Sequence, residues 1–244
     1  MALSCGLGGA GLLAFGLFLA IGPVTRLSLG MGRVEALELD AALSLLFFLQ
    51  HSGMVRRRWQ RFLGRRVTPA YLPALYSAAS GAAALAVVLL WQELDPPLFR
   101  PEGWGRWAWR GGWVLGGGLM LWSWRALGSL DALGVQPILQ RLRRIEPPAA
   151  GLHIRGPYRW VRHPMYLAVL LMIWSYPDLS ADRLLFNGLW SAWICVGARL
   201  EERDLAAAFG APYHTYQQRV PMLVPRRRPV PDAGHGPLTE GEGR

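Results

Sequence analysis

Arg155-Gly156-Pro157-Tyr158-Arg159-Trp160-Val161-Arg162-His163-Pro164-Met165-Tyr166 is a dense polar run at the mouth of an apolar segment. That segment turns at Asp178-Leu179-Ser180-Ala181-Asp182 and returns to Glu201-Glu202-Arg203-Asp204-Leu205, with Phe209-Gly210, Tyr213, Tyr216 and Val220-Pro221 beyond. A hairpin that enters a bilayer and comes back delivers both of its flanks to one surface. Polar groups from its two feet then meet, which is how a pocket can be built at a membrane face. The C-terminal hairpin is therefore the expected active site.

Composition agrees with a bilayer setting. The 244 residues are 52% hydrophobic, include twelve Trp and carry a formal net charge of +10 with a positive mean hydropathy. Apolar runs of about 18 residues or more are long enough to cross the hydrocarbon core, and several occur. The expected fold is an all-α integral membrane protein, a bundle of about six transmembrane helices whose C-terminal hairpin forms the active site. Spans are expected near residues 4–24, 36–54, 72–94, 109–127, 164–177 and from 184 past Glu202. Residues 1–225 would form a single membrane-embedded domain. The tail over 226–244, rich in Pro, Gly and charge, is expected to be disordered and cytoplasmic.

Every cation is an arginine, and the arginines gather in loops: Arg56, Arg57, Arg58, Arg61, Arg65 and Arg66, then Arg141, Arg143, Arg144, Arg155, Arg159 and Arg162. Loops of this kind set topology and meet anionic headgroups rather than nucleic acid. The positive-inside rule places both loops and both termini in the cytoplasm, in a bacterial inner membrane. Leu139, Leu142 and Ile145 alternate with arginines, predicting a short interfacial helix that Pro147-Pro148 break. Trp91, Trp104, Trp107 and Trp109 read as an interfacial aromatic belt. Glu38 and Asp40 fall in the first turns of the second span, where the helix dipole favours acids.

Other signals are weaker. Gly6-Leu7-Gly8-Gly9-Ala10-Gly11 matches the dinucleotide fingerprint, but it opens a membrane helix instead of following a strand. Its small residues are expected to serve close helix packing. Cys5 and Cys195 give neither a disulfide framework nor a metal-ligand spacing, and no metal is expected. The first apolar run lacks a basic flank and a cleavage site, so it reads as a retained span.

Ionisable residues bordering a span are expensive unless paired, and usually functional. Glu201 and Glu202 fit that description, with Arg162 and His163 on the other foot as partners. The plainer reading is a helix-end charge cluster with snorkelling arginines. Tyr213 and Tyr216 share a face if their segment is helical, either closing over a ligand or anchoring at headgroups. His51 is open to both kinds of reading.

The spaced pattern Arg162-His163-Pro164-x-Tyr166, Glu201-Glu202-x-x-Leu205-x-x-x-Phe209-Gly210-x-x-Tyr213-x-x-Tyr216-x-x-x-Val220-Pro221 resembles the isoprenylcysteine carboxyl methyltransferase superfamily. Glu201-Glu202-Arg203-Asp204-Leu205, Leu184-Leu185-Phe186, Val220-Pro221-Met222-Leu223, His51-Ser52-x-Met54-x-Arg56 and Trp91-Gln92 resemble its methanethiol S-methyltransferase branch, close to the NnrU-like membrane proteins. Where that branch carries a longer motif around a His-Phe-Asp run, this chain keeps Asp131 and Gly134. Ala208 stands where a prenyl-cysteine enzyme has a basic residue.

The resemblance implies transfer of a methyl group from S-adenosylmethionine to a small thiol, methanethiol giving dimethyl sulfide, at the cytoplasmic face. It implies a cofactor site of Tyr158, Arg162, His163, Pro164, Tyr166, Glu201, Glu202 and Tyr213. Arg162, Glu202 and His51 would be catalytic, and Asp131, Tyr216 and Arg219 would meet the substrate. Positive surroundings such as Arg162 and Arg219 favour the thiolate. Partners would be a small thiol or lipid-soluble substrate and membrane lipid, with no nucleic acid and no obligate protein. The alternatives are a lipid or prenyl-cysteine acceptor, or a non-catalytic NnrU-like protein.

Overall fold

A computed structural model of the chain describes residues 1–23, 27–128, 131–146, 151–225 and 228–230. Among them the chain forms α1 (Gly9–Ile21), led in by a π-turn at Ser4–Gly8, then α2 (Arg33–Val55), α3 (Arg57–Gly64) and α4 (Leu72–Leu90). There follow α5 (Gly103–Leu127), α6 (Gln136–Arg143), α7 (Pro164–Trp174), α8 (Ala181–Phe209) and α9 (Ala211–Arg219). A lone bridge between Phe99 and Leu179 is the β contact among the described residues. The all-α expectation holds, and each of the six expected apolar segments contains a helix, although the third and fifth stop short of their expected ends. Two helical stretches, Ser4–Ile21 and Pro69–Leu90, are long and apolar enough to cross a membrane; Pro164–Trp174 is apolar but shorter. The expected end of the first span at Val24, the break at Pro147-Pro148 and the tail, apart from 228–230, lie outside the described residues.

The chain gathers into two compact units, and neither is a continuous stretch. The first contains Met1–Arg110, Asp131–Pro148 and Ser175–Trp190; the second contains Gly111–Leu130, Ala149–Trp174 and Ser191–Arg244. Helices α5 and α8 each pass from one unit to the other.

In the first unit α4 packs against α1 and α2. The approach to α1 is backbone to backbone: a Cβ on Gly11 would sit 2.4 Å from the Gly81 carbonyl oxygen, and one on Gly8 2.3 Å from Ser77 Oγ. The glycine run thus serves packing. Helix α2 buries two polar residues along with two apolar ones and leaves a leucine-rich face exposed. Ala36, Asp40, Ser44 and Phe48 form a buried stripe four residues apart, while Leu45, Leu46 and Leu49 are exposed. Phe18 meets Phe186 edge to face and Phe186 stacks on Trp190, forming an aromatic core, and the buried Arg183 guanidinium lies 4.9 Å from the Phe18 ring centre.

Two expectations are corrected here. Asp40 does not lie in the first turns of α2, which begins at Arg33: it is fully buried further along the helix, and its Oδ1 accepts from the Gln92 amide at 3.0 Å. Trp91 is no belt residue: it is 2% exposed and its indole donates to Asp182 Oδ2 at 2.9 Å, whereas Trp104 and Trp107 are exposed. The same carboxylates explain why α4 ends at Leu90 and not at Leu94. Asp40 and Asp182 accept from the amides of Gln92 and Leu94, holding that backbone out of the helix.

In the second unit α5 lies close to α7, because a Cβ on Gly116 would fall 2.8 Å from the Ala168 carbonyl oxygen. Helix α8 ends at Gly210, whose φ of 60° and ψ of −134° suit a residue without a Cβ. That turn folds α9 back so that Tyr213, Tyr216 and Val220 bury against Ile154, beside Leu205, Phe209 and Val230.

Candidate active site

Pro164 opens α7 with a φ already suited to a helix and no amide to satisfy. His163 is thereby fixed at the N-cap, its carbonyl accepting from Leu167 at 3.0 Å. The preceding strand of polar residues is pinned to the segment after α9. The Arg162 amide donates to the Pro221 carbonyl at 2.9 Å, and the His163 amide to the Met222 carbonyl at 3.1 Å. The Val220-Pro221 end of the sequence pattern is therefore the backbone partner of its Arg162-His163 start.

Around that brace the charges pair as their types predict. Arg162 Nε donates to Glu202 Oε1 at 2.6 Å, in an ion pair whose side chains are 10% and 12% exposed. The other end of the same guanidinium donates to the carbonyls of Gln217, at 2.9 Å, and Val220. His163 Nε2 lies 3.2 Å from the same Glu202 oxygen, and Gln217 Nε2 donates to Glu202 Oε2 at 3.3 Å. Glu202 is thus held by three side chains. Glu201, one residue earlier and so about 100° around the helix, is 46% exposed and accepts from the Tyr166 hydroxyl at 2.6 Å. The imidazole of His163 stacks on the Tyr166 ring at 5.2 Å, nearly parallel.

These residues border a cavity of about 450 Å³, within the range of small-molecule sites. Tyr158, Arg162, His163, Pro164, Tyr166, Glu201, Tyr213 and Tyr216 all line it. Glu202 is not among the lining residues and stands behind Arg162, which is. Burial raises the phenols of Tyr158 and Tyr213 to about 12 and lifts Tyr216 as well, so all three keep their protons at neutral pH. The Tyr216 hydroxyl donates to the Tyr158 carbonyl at 2.6 Å, tying α9 to the polar run.

Arg219 closes α9, exposed and away from the lining. His51 and Asp131 belong to the first unit and are engaged there. The His51 ring bonds to the Tyr76 hydroxyl at 2.8 Å and Ser80 Oγ at 3.2 Å, while Asp131 Oδ2 accepts from the Gln136 amide at 2.7 Å. The sequence reading missed Leu127, Gly151, Leu152, His153 and Met165, which also line the cavity. Leu152-His153, directly upstream of the polar run, was the available signal. Leu205 and Phe209 stood in the spaced pattern but had no part assigned, and they form the apolar wall.

No cluster of His, Cys, Asp or Glu among the described residues could hold a metal ion. The lining chemistry suits a cationic, partly aromatic ligand: an exposed carboxylate beside tyrosines, with Leu205 and Phe209 continuing the same face of α8 as apolar wall.

Comparison with known proteins follows the same line. The chain is 35% identical over 193 residues to a methanethiol S-methyltransferase of a Pseudomonas species, covering 79% of this chain and 74% of that one. It is 30% identical over 195 residues to the methanethiol S-methyltransferase of Mycobacterium tuberculosis, covering 78% and 79%. Nurim from Pan troglodytes is 26% identical over 182 residues, covering 68% and 66%. No protein-family model and no solved structure matches the chain.

Proposed function

Because the chain belongs to the methanethiol S-methyltransferase family, within the isoprenylcysteine carboxyl methyltransferase superfamily, and is a methyltransferase, we propose that it methylates methanethiol to dimethyl sulfide with S-adenosylmethionine. We place this reaction in an integral membrane protein of about six spans, at the cytoplasmic face of the bacterial inner membrane. The observation that carries the reading is the cavity of about 450 Å³ with Glu201, Tyr158, Tyr166 and Tyr213 on its wall.

The residues fit S-adenosylmethionine by chemistry. The exposed Glu201 carboxylate would hold its ammonium group, oriented by the Tyr166 hydroxyl. Leu205, Phe209 and Leu152 offer an apolar seat for a flat ring. Tyrosine faces attract a cationic centre. When bound, the sulfonium supplies an already activated methyl carbon.

What remains for the protein is alignment and water exclusion. Arg162 and Glu202 would serve by positioning: their ion pair locks the foot of α8 to the end of α9, so that Glu201, Tyr213 and Tyr216 keep their places. A thiol must lose its proton before it is a competent nucleophile. The imidazoles of His153 and His163 at the cavity can take it, the ring of His163 being held by Glu202. His51, Asp131 and Arg219 remain candidates for proton and substrate handling, and His51→Gln, Asp131→Asn and Arg219→Gln test them in the same assay.

That assay is headspace detection of dimethyl sulfide from membranes containing the protein, given S-adenosylmethionine and methanethiol. The parent should produce it, and Glu201→Gln should reduce it strongly at equal expression. Cofactor binding without product would move the acceptor to a lipid or prenyl-cysteine; no binding and no product would sink the proposal.

A further inference from the structure

Between Asp40 and Glu93 the chain carries six arginines and no acid. Their placement in the first unit is specific. On α3 and at its C-cap, Arg58, Arg61 and Arg65 recur at helical spacing along one side, with Trp59, Phe62 and Leu63 along another. The Trp59 and Phe62 rings lie nearly parallel, 6° apart with centres at 5.2 Å, and they are 43% and 47% exposed. The Arg66 guanidinium carbon sits 5.9 Å from the Phe62 ring centre.

A second basic helix reaches the same end of this unit. Helix α6 contacts the Pro69–Tyr71 turn that leads into α4. Gly134, just before it, approaches the Pro73 backbone so closely that a Cβ would lie 2.2 Å from the Pro73 carbonyl carbon. Arg141, Arg143 and Arg144 are exposed there, beside Leu142 at 67% and Ile145 at 55% exposure, with Glu146 as the adjoining acid. Exposed arginines interleaved with exposed aromatic and aliphatic side chains are unsuited to plain water. They suit a surface that is anionic at its top and apolar just beneath.

We infer that α3 and α6 form a docking collar for anionic phospholipid headgroups, with Trp59, Phe62 and Leu142 seated at glycerol depth and the arginines on the phosphodiesters. Guanidinium forks match phosphate oxygens bidentately, and aromatic rings favour the interface. This inference rests on the membrane reading proposed above.

The test uses the full chain in detergent micelles holding equal phosphatidylglycerol and phosphatidylcholine, with retained lipids counted by native mass spectrometry. The parent should retain phosphatidylglycerol in preference by at least about fivefold, the scale of one cation at an anionic surface. The quadruple variant Arg58→Gln, Arg61→Gln, Arg65→Gln, Arg66→Gln should lose that preference, and the matching Lys variant, which keeps the charge but not the fork, should recover part of it. Equal retention of both lipids by the parent, or an undiminished preference in the Gln variant, would overturn the inference. So would displacement of the lipid by millimolar inorganic phosphate, which would mean a phosphate site, or oligonucleotide binding with no lipid preference. A chain that washes off cell membranes in carbonate would instead defeat the membrane reading itself.

Discussion

Adjacent glutamates do different work. Glu202 is the largely but not fully buried partner of Arg162, while Glu201 faces the cavity with Tyr166. Removing one partner of a fully buried pair costs about 3–5 kcal/mol, because the other charge is left behind, and this part-buried pair falls at the low end of that range. Arg162→Ala should therefore lower thermal stability by about 3 kcal/mol, and Arg162→Lys should recover only part of it, since a point charge cannot serve Glu202 and two carbonyls together. Glu201→Gln should leave the melting temperature nearly unchanged and raise the KM for S-adenosylmethionine about tenfold, the worth of one charge-assisted hydrogen bond. A large loss of stability in Glu201→Gln, measured by thermal unfolding in detergent, would contradict this division. The sequence offered the pair but could not separate its members, because position on a helix becomes exposure only when the neighbours are in place.

At the scale of elements, contact between α1 and α4 depends on two facing glycines. Gly11→Val should destabilise the chain by about 2 kcal/mol or more through overpacking. Gly16→Ala on the same helix, where no atom lies within 4 Å, should be near neutral or slightly stabilising. Equal effects of the two on unfolding would show that the close approach does not matter. The turn before α8 carries a pH signature. The Arg106 guanidinium donates to both Asp178 oxygens, at 2.7 and 2.6 Å, and with Arg100 holds that carboxyl below its ordinary value of 3.8. A depressed carboxyl contributes stability that is complete above its unfolded pKa and is lost as pH falls through the folded one. Asp178→Asn should then flatten the fall in melting temperature below about pH 4. An unchanged acid limb would remove Asp178 from the account.

For the whole molecule, the testable statement is orientation. If the two Arg-rich loops are cytoplasmic, single cysteines at Gly64 and Leu142, in a chain whose Cys5 and Cys195 are replaced, should resist an impermeant maleimide on intact cells. Cysteines at Gly30 and Leu98 should react with it. The reverse pattern would turn the site away from its cytosolic cofactor and undo the proposed function.

Much of this was legible in the sequence. Apolar run lengths indicated where the helices lie, and Pro164 marked where α7 begins, whereas the turn at Gly210 was not read. The spacing from Arg162 to Pro221 announced that distant residues share one site. These are local rules of length, backbone freedom and residue chemistry, which one chain states by itself. Tertiary structure decided what burial decides. It turned Asp40 and Trp91 inward to hold the end of α4, set Glu202 behind the wall and Glu201 on it, and brought His153 to the cavity. The physical reason is that a side chain's partner, solvent and charge cost come from residues far along the chain, and only the packed fold brings them within bonding distance.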